Sequence, residues 1–199
     1  MSWSVTTPPT DEPITLDEAK LHLRVSDTTD DTLITTLIQA AREHVEDVCE
    51  RALMPQTWTE RRLYFPPTPT LMPQAWTERL SPYVGAIKLR GGRVTAITSI
   101  TYTDSAGTVQ TLDPATYVTD FTTEPATILP VDEWPDCATD VVVPYQVGYA
   151  DAASVPAAIK AAMMLIIGNL YANREGAGQA ISENPTVARL LLPYKRVMP

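Results

Sequence analysis

Both ends of this chain have helical periodicity, whereas the middle has the composition of β-strands. Residues 31–52 repeat apolar side chains at helical spacing, residues 86–149 are rich in Thr, Val, Ile and Tyr, and residues 157–171 are apolar on nearly every face. A helical period of about 3.6 residues does not fit a strand, whose side chains alternate between two faces. The order of these segments therefore predicts an α+β fold: a small helical bundle formed by the N- and C-terminal helices, with an inserted antiparallel β-region.

Two helices are predicted in the first 53 residues. Thr15 and Glu18 have the spacing of a capping box, which predicts a short helix to about Leu23. A longer helix of five or six turns is expected to begin after a cap at Thr29 or Asp30 and to end at Pro55. Its apolar face consists of Leu33, Ile34, Leu37, Ile38, Ala41, Val45, Val48, Cys49 and Ala52. Cys49 on this face is predicted to be a reduced core thiol, and a disulfide with Cys137 is the less favoured alternative.

A near-repeat follows the second helix. Residues 53–61 recur as residues 71–79, and only Thr57 against Ala75 differs. One copy is predicted to form a strand in which Thr57, Thr59 and Arg61 alternate with Trp58 and Glu60. The other copy lies in a proline-rich segment, which predicts an irregular projecting loop near residues 64–85.

Further strands are predicted from alternating and β-branched segments. The turn sequence at residues 104–107 predicts a hairpin between its flanking strands. The predicted strands are residues 86–90, 94–103, 109–112, 117–119, 126–129 and 141–149. With the helices, this gives one domain over residues 1–199, composed of an extended arm (1–13), a helical bundle (14–53 and 155–192), a β-rich insert (54–150) and a tail (193–199).

The apolar C-terminal helix must be covered by protein. Five of its residues are predicted to make core or subunit contacts: Ile159, Met163, Ile166, Ile167 and Leu170. A membrane span is not expected, because Lys160 interrupts the apolar segment, which is shorter than the roughly 20 residues that a bilayer requires.

No pattern of reactive residues points to catalysis. The two histidines, His22 and His44, have no second ligand at metal-binding spacing, and neither a GxGxxG nor a GxxxxGK[ST] motif is present. We therefore predict a non-enzymatic protein with no catalytic residue, cofactor or metal. The net charge of −9 argues against tight binding of nucleic acid.

Several segments, in order, resemble a known family. They are residues 14–25, the helix that ends at residues 51–53, Gln56–Trp58, residues 94–104, 110–117, 134–135, 145–149, 155–156, 170–175 and 190–194. This set resembles the head–tail connector (adaptor or head-completion) proteins of long-tailed bacteriophages, prophages and gene transfer agents. The proline-rich repeat departs from the family pattern.

The resemblance implies a structural protein of the virion neck. About a dozen copies would form a ring below the portal protein, extend the DNA channel and dock a tail-side stopper or neck protein, after assembly in the host cytoplasm. It also implies portal binding by the C-terminal segment, here Leu190, Leu191, Leu192, Pro193, Tyr194, Lys195, Arg196 and Val197. DNA would pass without specific binding. Part of the channel lining is expected to come from residues 1–60 or from residues 104–155, which have net charges of −8 and −9.

Three alternative functions remain open from the sequence. They are another neck protein such as a stopper or terminator, a DNA-packaging factor, and an acid–base hydrolase with paired carboxylates. The hydrolase would need a pocket in which the pKa of an Asp or Glu is strongly shifted. The packaging factor would need measurable DNA affinity that falls steeply with salt.

Overall fold

The computed structural model describes residues 2–67, 85–136, 138–173 and 184–196. The chain divides into two compact units. The helical unit consists of Pro9–Pro55 and Tyr149–Pro199, and the β unit consists of Met1–Pro8 and Gln56–Gly148. Several features of the sequence lie outside the described residues. They are the second repeat copy (residues 71–79), most of the projecting loop, Cys137 and residues 197–199.

The described helices of the helical unit come from both ends of the chain. They are α1 (Leu16–Leu23), α2 (Asp31–Cys49), α3 (Ala157–Ala172) and α4 (Pro185–Leu191). Short 3-10 turns precede α3 at Ala152–Ser154 and follow α4 at Leu192–Tyr194. None of the helices in the described part of the chain has the length and apolar character needed to span a membrane.

The ends of the first two helices follow local backbone chemistry. The capping box is confirmed: the Thr15 hydroxyl accepts from the backbone N–H of Glu18 at 3.2 Å, and the Glu18 carboxylate accepts from the backbone N–H of Thr15 at 2.8 Å. The predicted end of α2 at Pro55 was wrong. The helix ends at Cys49 because Glu50 adopts a left-handed conformation, and its N–H returns to the carbonyl groups of the last turn.

One apolar core joins the helices of this unit. Ile34, Ile38 and Val45 of α2 are buried together with Ile159 and Met163 of α3. Val187 and Leu191 bring α4 into the same core, and Ala19 brings in α1. Because α2 and α3 lie far apart in sequence, the bundle requires both ends of the chain to fold together.

The strands of the β unit form two antiparallel sheets in the described part of the chain. Strands β1 (Ser2–Thr7), β2 (Gln56–Arg62), β9 (Thr139–Val147), β5 (Thr101–Thr103) and β6 (Val109–Thr111) follow one another across the larger sheet. In that sheet β4 (Val94–Ile97) also pairs with β9. The smaller sheet has the order β3 (Ile87–Lys88), β8 (Thr127–Pro130) and β7 (Tyr117–Asp120).

Strand β9 organises the larger sheet. It pairs with the whole of β2, from Arg62 opposite Val141 to Gln56 opposite Val147. Its other edge pairs with β5 and β4, so the predicted strand over residues 94–103 is divided in two. The predicted alternation in β2 is confirmed, since Trp58 and Glu60 are buried. The β5–β6 hairpin is also as predicted.

The N-terminal segment is more ordered than the predicted extended arm. Residues 2–7 form β1, which pairs with β2 from Ser2 opposite Arg61 to Val5 opposite Trp58. The Trp3 ring stacks on Trp58 with ring centroids 4.6 Å apart. This cross-strand aromatic pair gives a polar, Ser/Thr-rich segment enough apolar contact to hold it on the sheet.

Candidate assembly surfaces

Helix α3 contributes to the core of its own unit. Ile159, Met163, Ile166 and Ile167 are at most 1% exposed, and the half-buried Leu170 packs against the same core. The sequence left core and subunit contacts as alternatives for these five residues. Their burial within one copy accounts for four of them without a neighbouring copy. Of this helix, the half-buried Met164 and Leu165 remain partly accessible.

The C-terminal segment divides into anchoring and accessible residues. Leu191 is buried, and Leu190 and Tyr194 pack against the helical core. The backbone N–H of Arg196, a half-buried residue, donates to the carbonyl oxygen of Cys49 at 3.3 Å, which ties the segment to the end of α2. Accessible side chains in this segment belong to Leu192 (68% exposed), Pro193 and Lys195. Val197, also predicted to bind the portal, lies outside the described residues.

A buried arginine connects α2 to the segment that precedes α1. The side chain of Arg42 is 7% exposed, and its Nε donates to Glu12 Oε2 at 2.9 Å. Its Nη1 donates to Glu46 Oε2 at 2.8 Å, and Glu46 Oε1 accepts from the backbone N–H of Leu53 at 2.8 Å. Burial lowers the pKa of Arg42, but the carboxylates of Glu46 and Glu12 more than offset this and the pKa is raised. Arg42 is not among the positions predicted for the apolar face of α2, and its burial was not foreseen.

Cys49 is a buried free thiol, as the sequence predicted for a reduced core cysteine. Burial is the main cause of the raised pKa of this thiol, and nearby Arg51 and Lys195 lower it to a smaller extent. Because the thiolate is the reactive species, a buried thiol with a raised pKa reacts slowly.

We expect Cys49 to resist maleimide labelling at pH 7 in the folded protein and to react fully in denaturant. Peptide mass spectrometry would report labelling at Cys49 separately from Cys137. The unfolded chain supplies the control, since every thiol is then accessible. Rapid labelling of Cys49 under native conditions would contradict its burial.

Several carboxylates in the described residues are engaged in structural contacts. Hydrogen bonds lower the pKa of Asp104, Asp120 and Asp151, with Gln110, Thr122 and Ser154 as the leading partners. Burial raises the pKa of Glu12, but this carboxylate is bound by Arg42. In the described part of the chain no cluster of three His, Cys, Asp or Glu residues is arranged to hold a metal ion.

A small cleft lies at one edge of the larger sheet. It has a volume of about 190 Å³ and is lined by Ser2, Trp3, Glu60 and Arg90. Ligand pockets usually measure about 300–1,000 Å³, so this cleft is smaller than a typical substrate site.

Comparison with known proteins finds a family match in the N-terminal part of the chain. Residues 13–77 match the family of phage gp6-like head–tail connector proteins. The match includes α1, α2 and β2, which contain most of the residues that carried the resemblance in the first half of the sequence. No curated protein sequence matches the chain significantly.

Three solved structures have the fold of the whole chain. The neck of an empty gene transfer agent particle, computed with C6 symmetry, aligns at a TM-score of 0.76 and 17% identity. The neck of the native particle, with C12 symmetry, gives 0.76 and 16%, and the native virion gives 0.75 and 15%. Each alignment covers 100% of this chain and 97% of the other. The α+β fold is thus confirmed, and the resemblance to head–tail connectors is confirmed over residues 13–77.

Proposed function

We propose that this protein is a structural connector that forms a ring in the neck of a phage-like particle. The observation that carries the proposal is the match of the complete fold to a protein from a particle neck, together with the connector-family match of residues 13–77. At 16–17% identity the structural likeness establishes the fold, and the family match supplies the functional direction. The C6 and C12 symmetries of those necks support an oligomeric ring.

In this proposal the ring binds the portal protein on one side and a tail-side stopper on the other. The helical unit carries exposed carboxylates that could line a channel, including those of Asp17, Glu43, Asp47 and Glu50. Like charges do not pair with phosphates, so an acidic channel wall lets DNA pass without binding. Residues 1–60 and 104–155 remain our proposed sources of that wall.

Co-expression with the portal protein of the same particle tests the proposal. We expect the two proteins to purify together and negative-stain images to show a ring of about a dozen copies. The isolated chain is an insufficient sample, because a connector can remain monomeric until it meets its portal. Absence of both a portal complex and a ring would overturn the proposal. DNA affinity that falls steeply with salt would instead favour a DNA-packaging role.

The accessible C-terminal residues are the proposed portal contact. We expect Leu192→Asp combined with Lys195→Glu to weaken portal binding at least about tenfold, because an exposed apolar anchor and a cation are both replaced by negative charge. Titration of labelled portal protein would measure the affinity. Leu21→Asp is the matched control, since Leu21 is a still more exposed leucine on α1.

Both variants should retain the unfolding midpoint of the wild type, because neither leucine is buried. Portal affinity unchanged in the C-terminal variant would remove this segment from the interface. Equal loss in the Leu21→Asp control would indicate a general effect of surface charge.

A further inference from the structure

Strand β1 has an outer edge to which no described strand is paired. It is the terminal strand of the larger sheet, and all six of its residues are exposed. Its sequence, SWSVTT, contains no charge, glycine or proline. Natural edge strands are usually protected by charged side chains, prolines, covering segments or bulges that interrupt pairing. In β1 an irregularity occurs only between Val5 and Thr7, so Ser2–Val5 keep a regular edge that has none of these protections within the described residues.

The opposite end of the same sheet has the same character. Strand β6 is the other terminal strand, and its residues, Val109, Gln110 and Thr111, are all exposed and uncharged. Val109 is 69% exposed, and Trp3 and Val5 of β1 are 46% and 45% exposed. The terminal strands of the smaller sheet differ, since β3 carries Lys88 and β7 carries Asp120. Two uncharged edges at opposite ends of one sheet form the two different surfaces that a head-to-tail contact requires.

We propose that β1 of one copy pairs with β6 of the next copy, so that the larger sheet continues from subunit to subunit. This inference rests on the proposed ring. Unpaired backbone groups of one edge supply hydrogen bonds to the other, as in other cases of strand addition. The occupant of the β1 edge is a second copy of this chain, because the complementary edge is present on the same molecule.

The topology fixes the direction of the intersubunit pair. Each neighbouring pair from β1 through β2, β9 and β5 to β6 is antiparallel. Strands β1 and β6 therefore have the same polarity in the sheet of one copy. A rotation of one-twelfth or one-sixth of a turn between copies preserves that direction, and the new pair is parallel. A self-pairing of β1 about a twofold axis would be antiparallel and would close a dimer.

Cysteine crosslinking in the assembled ring tests this contact. The sample is the portal complex of a variant with Ser4→Cys and Gln110→Cys in a Cys137→Ser background, treated with a bismaleimide that spans about 8 Å. Neighbouring strands lie about 4.8 Å apart, so this reach tolerates a small shift in register. Buried Cys49 stays in place. Ser4→Cys with Val118→Cys is the matched control, because Val118 is exposed on the other sheet.

We expect a ladder of covalent oligomers up to the full ring from the Ser4/Gln110 pair, and none from either single variant or the control pair. Covalent dimers from Ser4→Cys alone would overturn the inference in favour of β1 self-pairing. Intact rings without a ladder would overturn it and leave the proposed function standing. Failure of the wild type to form a ring would overturn both.

A charge placed on the edge gives a second measurement. Ser4→Lys adds the protection that β1 lacks, and we expect it to reduce ring formation on the portal about tenfold. Ser26→Lys adds the same charge at an exposed position outside the sheet and should assemble like the wild type. Normal assembly of Ser4→Lys would contradict pairing at this edge. Thermal unfolding of both monomers identifies any loss caused by misfolding.

Discussion

Replacing Arg42 with alanine is expected to lower the free energy of unfolding of the helical unit by about 3–5 kcal/mol. The reason is the position of its partners. The Glu46 side chain is only 13% exposed and is held by Leu53 N–H as well as by Arg42, so it cannot readily turn to solvent. Removal of the guanidinium leaves a poorly solvated negative charge, and it also opens a space in the helical packing.

The effect of Arg42→Ala should appear in the loss of helical ellipticity at 222 nm during urea unfolding. The described tryptophans, Trp3, Trp58 and Trp134, belong to the β unit, so their fluorescence reports the other unit separately. Gln39→Ala is the control on the same helix, because Gln39 is exposed and bonds Glu43 at the surface. We expect it to change stability by no more than about 0.5 kcal/mol.

A double variant distinguishes the buried charge from the lost packing. Arg42→Met combined with Glu46→Gln removes both charges of the Arg42–Glu46 pair. The methionine fills most of the space left by the arginine, and the glutamine keeps an acceptor for the backbone N–H of Leu53. We expect the double variant to be clearly more stable than Arg42→Met alone. The single variant leaves the buried charge of Glu46 without its partner, and an unpaired buried charge destabilises a protein more than the loss of both charges does. If the second substitution gives no recovery, electrostatic coupling between Arg42 and Glu46 is not the source of the effect.

The burial of Arg42 could not be predicted from the helical periodicity of α2. The apolar positions of α2 were correctly assigned from their period, and Ile34, Ile38 and Val45 are all buried. Arg42 follows the buried Ala41 but was not included in the predicted apolar face, because charged residues are rarely buried. Its burial depends on Glu12, which is 30 residues away in sequence, and helical periodicity carries no information about such a partner.

Strands were predicted best where the residues that determine their pairing are close in sequence. The β5–β6 hairpin follows from its turn, where Asp104 accepts from the backbone N–H of Ala106 and Thr108 at 2.9 Å. Strand β1 was missed although Trp3 and Val5 alternate with serine and threonine, because the alternation is short and the segment up to Pro13 is rich in Thr and Pro. Its place is determined by Trp58, which lies more than 50 residues along the chain. The sequence alone could not show which residues of the C-terminal segment are accessible. Leu191 and Leu192 are adjacent leucines, yet only Leu191 is buried in the helical core.

Gly91→Ala is expected to destabilise the β unit by about 2–5 kcal/mol, from two sources. Gly91 has φ +94°, a conformation that costs an L-residue about 1–2 kcal/mol. A Cβ at this position would also lie 3.0 Å from Cε3 and Cζ3 of Trp58 and 3.1 Å from Cγ1 of Val147. Such overpacking adds about 1–3 kcal/mol, because Trp58 is held between this loop and the Trp3 ring.

Gly107→Ala separates the two sources of the Gly91 effect. Gly107 has φ +80°, but a Cβ there meets nothing within 4 Å, so this variant carries backbone strain alone. Urea unfolding followed by tryptophan fluorescence should show a larger loss for Gly91→Ala than for Gly107→Ala, and the difference measures the contact with Trp58. A red-shifted native emission in Gly91→Ala alone would show displacement of the Trp3–Trp58 stack. Equal losses in the two variants would mean that the tryptophan moves aside freely, and the close packing that holds β1 on the sheet would then be contradicted.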